Sequence, residues 1–280
     1  MLMSTQANRY AHQLLDARAN AALQPRLSAG AALTIADGYD VAKRIVDIRI
    51  AQGDQPIGRK IGFTNRKVWS KFSTLGPIEA PIWATMYDTT VRYADDNRAV
   101  QSLTGAMQPR LEPEIVFKLG KAPTKNASLA ELAGCIEWMA HGFEIVVCPF
   151  PDWKFEPVDA VAAFGLHGSL IIGEPHMLST ASRRNLAEVL TNASVSLSWN
   201  AGNGYVLRAA GFGADVLDSP VHAMMHLHKL LQSQPQFPAL AAGEIITTGT
   251  WTEAYPVAPG ETWTTAFSGV SLPGLTVAFV

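Results

Sequence analysis

Two glutamates sit two residues apart inside an apolar, β-prone run, Leu111-Glu112-Pro113-Glu114-Ile115-Val116-Phe117. Successive side chains of a strand point to opposite faces, so Glu112 and Glu114 share one face. A third glutamate has a comparable setting in Gly142-Phe143-Glu144-Ile145-Val146-Val147. Carboxylates in such strands are costly to bury unless paired, protonated or bound to a cation. Three that converge make an oxygen-rich site suited to Mg²⁺ or Mn²⁺. The competing reading is that all three are solvent-facing positions of edge strands, and residue type and spacing leave both open. Pro113 cannot donate to a sheet ladder, which predicts an edge or a bulge at that point.

Other chemistry-bearing residues carry weaker signals. His222 and His226 are four apart with a third histidine, His228, nearby, but Ala223 stands where a zinc protease helix has its glutamate. Packing or interface roles are expected for them. Gly202-Asn203-Gly204 is a turn signal without the helix a phosphate loop needs. Of the scattered tryptophans, which include Trp69, Trp83 and Trp153 are singled out as pocket walls.

The elements that must position these groups follow from periodicity. Residues 9–23 place Tyr10, Leu14, Ala17 and Ala21 on one helical face. Thr34 and Asp37 form a capping-box start for a second helix that Gly53 ends. From Ile57 onward the chain reads as β-rich. Short strands are expected at 59–63, 82–87 and 89–93. A brief helix capped by Thr64 runs through Val68 and Phe72, with a turn at Gly76-Pro77, and 94–108 reads as loop. The glutamate strand spans 110–119. A capping box at Ser128 opens a helix expected to reach Met139, followed by the Glu144 strand. Residues 148–158 read as an ordered surface loop, 170–173 as a buried strand, and 182–190 as a helix. A hairpin surrounds Gly202-Asn203-Gly204, Ser219-Pro220 starts a helix, and three strands close the chain at 244–248, 262–267 and 275–280. Many strands, few helices and no βαβ rhythm favour α+β with a mixed, rolled-up β core. The division expected is a helical N-terminal part over residues 1–55 and a metal-binding catalytic domain over 56–280.

The chain has 280 residues, 48% of them hydrophobic and 16% charged, with a formal net charge of -2. That is enough for one large core or a core with a small subdomain. No basic block marks a nucleic-acid or anionic-membrane surface. No apolar run approaches the ~20 residues of a spanning helix. The start lacks the apolar core of a signal peptide, and Cys135 and Cys148 read as buried small residues rather than a disulfide. A protein of the cytoplasm is expected.

In order along the chain, four motifs stand together: Gly58-Arg59-Lys60-Ile61-Gly62-Phe63-Thr64, Glu112-Pro113-Glu114 with Glu144, Gly243-Glu244-Ile245-Ile246-Thr247-Thr248-Gly249-Thr250, and Pro259-Gly260-Glu261-Thr262. This resembles the 2-keto-4-pentenoate hydratase and 4-oxalocrotonate decarboxylase family of the fumarylacetoacetate hydrolase superfamily. The resemblance implies a mixed β-roll catalytic core of the fumarylacetoacetate hydrolase C-terminal type behind a helical N-terminal part. It implies Mg²⁺ or Mn²⁺ on Glu112, Glu114 and Glu144, with Lys60 lining the pocket, and a homo-oligomer. Two departures stand out. Ala162-Ala163-Phe164-Gly165-Leu166-His167-Gly168 replaces an Ala-Asp-Asn-Ala-Ser segment, and Asp218 stands where the family has Gly.

The activity so implied is hydration of a 2-hydroxy-2,4-dienoate or its 2-oxo-enoate tautomer, as in meta-cleavage breakdown of aromatics. A metal that polarises the C2 oxygen stabilises the enolate, and the same stabilisation serves decarboxylation of a 4-oxalocrotonate. A third alternative is a non-catalytic binder of metal or organic acid. Lys60 is the catalytic candidate, expected with a lowered pKa beside a cation. Thr250, Phe63, His167 and Trp153 are the substrate-binding candidates. C–C bond hydrolysis in the superfamily uses a His–Glu pair near the start of the catalytic domain, and no histidine lies between His12 and His141. That absence argues against a hydrolase of this type, with His167 as a residue that could be recruited instead.

Overall fold

The computed structural model describes residues 3–66 and 81–280. The expected helix through Val68 and Phe72, the Gly76-Pro77 turn and Trp69 lie outside them. The N-terminal helices are α1 (Ser4–Ala19) and α2 (Ile35–Ala51). The expected capping box starts α2: Thr34 Oγ1 accepts from the Asp37 N–H, and the Asp37 carboxylate accepts from the Thr34 N–H. Then follow β1 (Pro56–Gly62), β2 (Ile82–Tyr87), β3 (Val91–Tyr93), β4 (Arg98–Gln101), β5 (Arg110–Leu119), α3 (Leu129–Ala133), β6 (Ile136–Val146), α4 (Pro157–Ala162), β7 (His167–Ile172) and β8 (His176–Met177). The rest comprises α5 (Thr180–Arg184), α6 (Leu186–Asn192), β9 (Ser194–Asn200), β10 (Val206–Phe212), α7 (Pro220–Gln232), β11 (Ile245–Thr250), β12 (Tyr255–Pro256), β13 (Thr262–Ser268) and β14 (Thr276–Phe279).

Among the described residues the strands form two mixed sheets. The larger runs β2-β1-β11-β5-β6-β7-β3, with β12 on β5 and β8 on β6, and the smaller runs β10-β9-β13-β14-β4. Pairs β1·β11, β3·β7 and β4·β14 are parallel and the others antiparallel. The sheets meet through Leu111, Phe143, Ile145 and Ile171 on one side and Leu197, Trp263, Val277 and Phe279 on the other. Helices α1, α2, α4 and α7 join the opposite core through Leu14, Ile45, Val161 and Leu227. This is the expected α+β architecture with a rolled, mixed β core.

Several local expectations change. The Ser128 helix is five residues long, because Gly134 ends it and Ile136 already belongs to β6. Asn185 divides the 182–190 helix into α5 and α6. The polar stretch 94–108 contains β4, recruited as a sheet edge by β14. Residues 148–158 are only partly a surface loop, since Cys148 and Phe150 are fully buried and Pro157 begins α4. The three closing strands form as expected but divide between the sheets, β11 in one and β13 and β14 in the other. Trp83 is a core residue: it stacks on Tyr39 at 5.6 Å, donates to Gln234, and borders only a cavity of about 20 Å³. Asp218 adopts φ 79, which explains the customary glycine there, and its carboxylate grips Arg66 with two bonds of 2.8 and 3.1 Å.

Candidate metal centre

Strand β5 is central, not an edge. It pairs with β6 on one side and β11 on the other. The register sets Glu112 opposite Glu144 and Glu114 opposite Gly142, so all three carboxylates share a face. Lys60 on β1 pairs with Thr247, and Thr247 with Val116, which brings Lys60 onto that face one row below Glu114. The solvent-facing alternative fails, because Glu114, Glu144 and Lys60 are 1%, 0% and 3% exposed.

Two irregularities complete the site. Between Thr247 and Thr250, β11 carries one residue more than β5. The bulge expected at Pro113 therefore lies on the partner strand, where Pro113 has no N–H to offer. It turns the Gly249 N–H toward Glu114, which accepts it at 2.7 Å. Gly249 has φ 100, and a Cβ there would come within 2.0 Å of Thr64 Oγ1. A second shift lies between Ile145 and Val146, so that Val146 pairs with His167. Without that extra residue the period-2 alternation would send His167 to the opposite face. With it, His167 Nδ1 donates to Glu144 Oε1 at 2.7 Å and Nε2 lies 2.9 Å from Thr90 Oγ1.

One ligand oxygen from each of Glu112, Glu114 and Glu144 lies within 4.8 Å of the others. Burial first, and then Glu144 and Glu112, push the Glu114 carboxyl well above its usual range. Burial is also the main reason Glu112 rises to about 7, with Lys60 opposing and Glu144 reinforcing. Burial works against the charge on Glu144 too, but the Lys60 ammonium and the His167 N–H outweigh it and bring Glu144 to about 2. Lys60 Nζ is 3.2 Å from Glu144 Oε2 and donates to Gly165 O at 3.0 Å. The lowering expected for Lys60 applies beside a bound cation; the metal-free site holds it the other way. Burial pulls it down, but Glu144, Glu112 and Glu114 together hold the ammonium above its ordinary value. Glu114 Oε1 and Thr247 Oγ1 are buried without a hydrogen-bond partner, and Glu144 Oε2 has only the Lys60 ammonium at 3.2 Å. Repelling carboxyls with orphaned oxygens are what a hard divalent cation would satisfy, so these residues fit such an ion.

A cavity of about 580 Å³ reaches this cluster. Lys60 and Glu112 form its polar end, and Phe63, Trp153, Phe155 and Leu166 its apolar wall. Phe63, Trp153 and Thr250 all line this cavity, although the Thr250 hydroxyl donates to Thr252 O at 3.1 Å. His167 does not line the cavity. It is 2% exposed, burial holds its imidazole below the ordinary value, and both ring nitrogens are engaged. It orients Glu144 and has no nitrogen free to activate water. Sequence reasoning missed Thr90, Thr247 and Arg110, whose guanidinium stands 4.2 Å from the Trp153 ring centroid at the cavity wall. The histidines of α7 do not join the centre: His222 bonds Ser219 and His228 bonds Lys125 O.

The sequence matches the fumarylacetoacetate (FAA) hydrolase C-terminal family over residues 70–275. The chain belongs to this family. Within the fumarylacetoacetate hydrolase family, relatives along nearly the whole chain are hydratases and decarboxylases. A 4-oxalocrotonate decarboxylase of a Pseudomonas species is 27% identical over 90% of this chain and 91% of its own. A 2-hydroxyhexa-2,4-dienoate hydratase of Comamonas testosteroni is 28% identical over 96% and 94%. Among solved structures, 4-oxalocrotonate decarboxylase from Pseudomonas putida G7, complexed with magnesium and adipate, superposes with a TM-score of 0.87 at 26% identity, covering 100% of this chain and 99% of that one. The same enzyme complexed with calcium and acetate gives 0.85 at 25% identity, with the same coverage. Among the described residues, no helix is long and apolar enough to cross a membrane.

Proposed function

We propose that this protein is a divalent-metal-dependent hydro-lyase that adds water to a 2-hydroxy-2,4-dienoate through its 2-oxo-3-enoate tautomer. The observation carrying this reading is the cluster of buried Glu114, Glu144 and Lys60 with half-buried Glu112, reached through Lys60 and Glu112 by a cavity with an apolar wall. Glu112, Glu114 and Glu144 would hold Mg²⁺ or Mn²⁺, which supplies Lewis-acid polarisation of the substrate's C2 oxygen and carboxylate. Lys60 donates a hydrogen bond to the substrate's C2 oxygen and relays the proton that leaves this oxygen, while C5 takes one, when the dienol becomes the 2-oxo-3-enoate. The ring of Phe63, with Trp153 and Phe155, packs on the unsaturated chain and limits water to its far end. Water then adds at C4, β to the carbonyl, while C3 takes a proton, so the net change is one H₂O across the double bond.

The decarboxylase of the same branch is the second reading, favoured by the TM-score of 0.87 to a 4-oxalocrotonate decarboxylase. There the same polarised oxygen accepts the electron pair released with CO₂. Two assays separate the readings: ultraviolet loss of 2-hydroxypenta-2,4-dienoate with and without Mg²⁺, and CO₂ release from 4-oxalocrotonate. Metal-dependent loss of absorbance without CO₂ is expected. CO₂ release would favour the decarboxylase, and metal binding with neither turnover would favour a non-catalytic binder.

A further inference from the structure

The segment Phe164–Gly168 holds two members of the metal centre. Gly165 O accepts from Lys60 Nζ, and His167 Nδ1 donates to Glu144. Its backbone is left-handed at three consecutive residues, with φ of 59° at Phe164, 57° at Gly165 and 63° at Leu166. Only glycine enters that region freely, so Phe164 and Leu166 stay there because their surroundings hold them.

A single side chain from α1 supplies much of that hold. Arg18 donates from Nη1 to His167 O at 2.6 Å and from Nη2 to Gly168 O at 2.9 Å. Its guanidinium also lies 4.7 Å from the centroid of the Phe164 ring. A planar guanidinium bridges two carbonyls from separate nitrogens while lying flat on an aromatic face, a fixed geometry that the rotatable donors of an ammonium do not reproduce. Arg18 is an expensive way to fill this space. Burial, and then Arg49, pull its pKa down to about 10, against Tyr87 and Asp54. Among the described residues its polar contacts are backbone carbonyls, not a carboxylate. An apolar side chain would join α1 to the sheet without that desolvation cost.

We propose that Arg18 is a positioning residue of the metal centre, clamping the left-handed turn so that Gly165 O and His167 Nδ1 aim Lys60 and Glu144. The N-terminal helix thereby becomes part of the catalytic apparatus. This rests on the assignment of Glu112, Glu114 and Glu144 as metal ligands. Arg18 also borders a cavity of about 160 Å³ beside Gly168 and Ser169, a route by which a small cation could reach a truncated side chain.

The test uses the full chain with Arg18→Met, Arg18→Lys and Arg18→Ala. It reads the Kd for Mg²⁺ by calorimetry without substrate, kcat and KM on 2-hydroxypenta-2,4-dienoate, and the melting temperature. Both Arg18→Met and Arg18→Lys are expected to weaken Mg²⁺ binding by ~10–100-fold, the range for residues that orient metal ligands. They should lower kcat more than they raise KM. Guanidinium chloride below denaturing concentration should restore Mg²⁺ affinity in Arg18→Ala. Wild-type affinity and kcat in either folded variant would overturn the proposal. So would a loss that follows the melting temperature and that guanidinium does not restore, since a purely structural arginine gives that pattern. Should Arg18→Met not fold, Arg18→Lys, which keeps stem and charge, carries the comparison. Failure of the wild-type protein to bind Mg²⁺ would instead remove the metal assignment itself.

Discussion

The metal-free protein should lose stability as pH rises through neutrality, and Glu112 is the residue to perturb. Its carboxyl moves from 4.5 to about 7 on folding. A folded pKa above the unfolded one means that the stability is fully present below about pH 4.5 and is lost as pH climbs through about 7. At 1.36 kcal/mol per unit, the shift is worth about 3 kcal/mol. Solvent still reaches part of Glu112 and screens some of this, so that figure is a ceiling. For a chain of this size it corresponds to roughly 6–10 °C in melting temperature. The assay is thermal unfolding in EDTA between pH 5 and 8 for the wild type and Glu112→Gln. The wild type should fall relative to the variant across this range. Removing Glu112 also relieves Glu114, which acts in the same direction. Excess Mg²⁺ should reverse the fall in the wild type alone, and increasingly so at higher pH, because bound ligands must be deprotonated. Parallel pH profiles for the two proteins in EDTA would refute the reasoning.

Other perturbations test separate parts of the site. Glu114→Gln should abolish Mg²⁺-induced stabilisation and activity while costing the metal-free protein little stability, because burial and the two neighbouring carboxylates already disfavour the Glu114 charge; full activity would remove it from the metal site. Lys60→Met should keep Mg²⁺ binding but lower kcat by ~10²–10⁴, the usual worth of a positioned proton donor, and unchanged kinetics would exclude Lys60 from the mechanism. Gly249→Ala combines φ 100 with a Cβ 2.0 Å from Thr64 Oγ1. It should destabilise the fold by about 2 kcal/mol or more and weaken metal binding through the lost Gly249–Glu114 bond, as denaturant titration and calorimetry would show.

What the sequence made legible was whatever a period or a cap could carry. The Thr34–Asp37 box, the Ser219-Pro220 helix start and the Gly202-Asn203-Gly204 hairpin are local signals, and each forms where expected. The three glutamates were legible because a carboxylate in an apolar strand demands a reason. Their convergence depends on the β5·β6 register, a long-range pairing that periodicity alone does not fix. The bulges at Gly249 and Gly168 were invisible for the same reason, and with them the role of His167. Its alternation in the sequence points away from the glutamates, and one inserted residue brings it back. The upward shift of Lys60 in the metal-free site was not legible, because the sequence reading weighed the surrounding carboxylates only as ligands of a cation and not as neighbours of the ammonium. The Ser128 helix was overextended because Trp138 and Met139 suit either period, and only the pairing with β5 decides for strand.

The central claim is a divalent cation held by Glu112, Glu114 and Glu144. It is tested most directly by anomalous diffraction from crystals grown with Mn²⁺ and oxalate. The account predicts one strong peak about 2.2 Å from an oxygen of each of the three glutamates, with oxalate completing the coordination beside Lys60. A peak elsewhere, or none at saturating Mn²⁺, would contradict it.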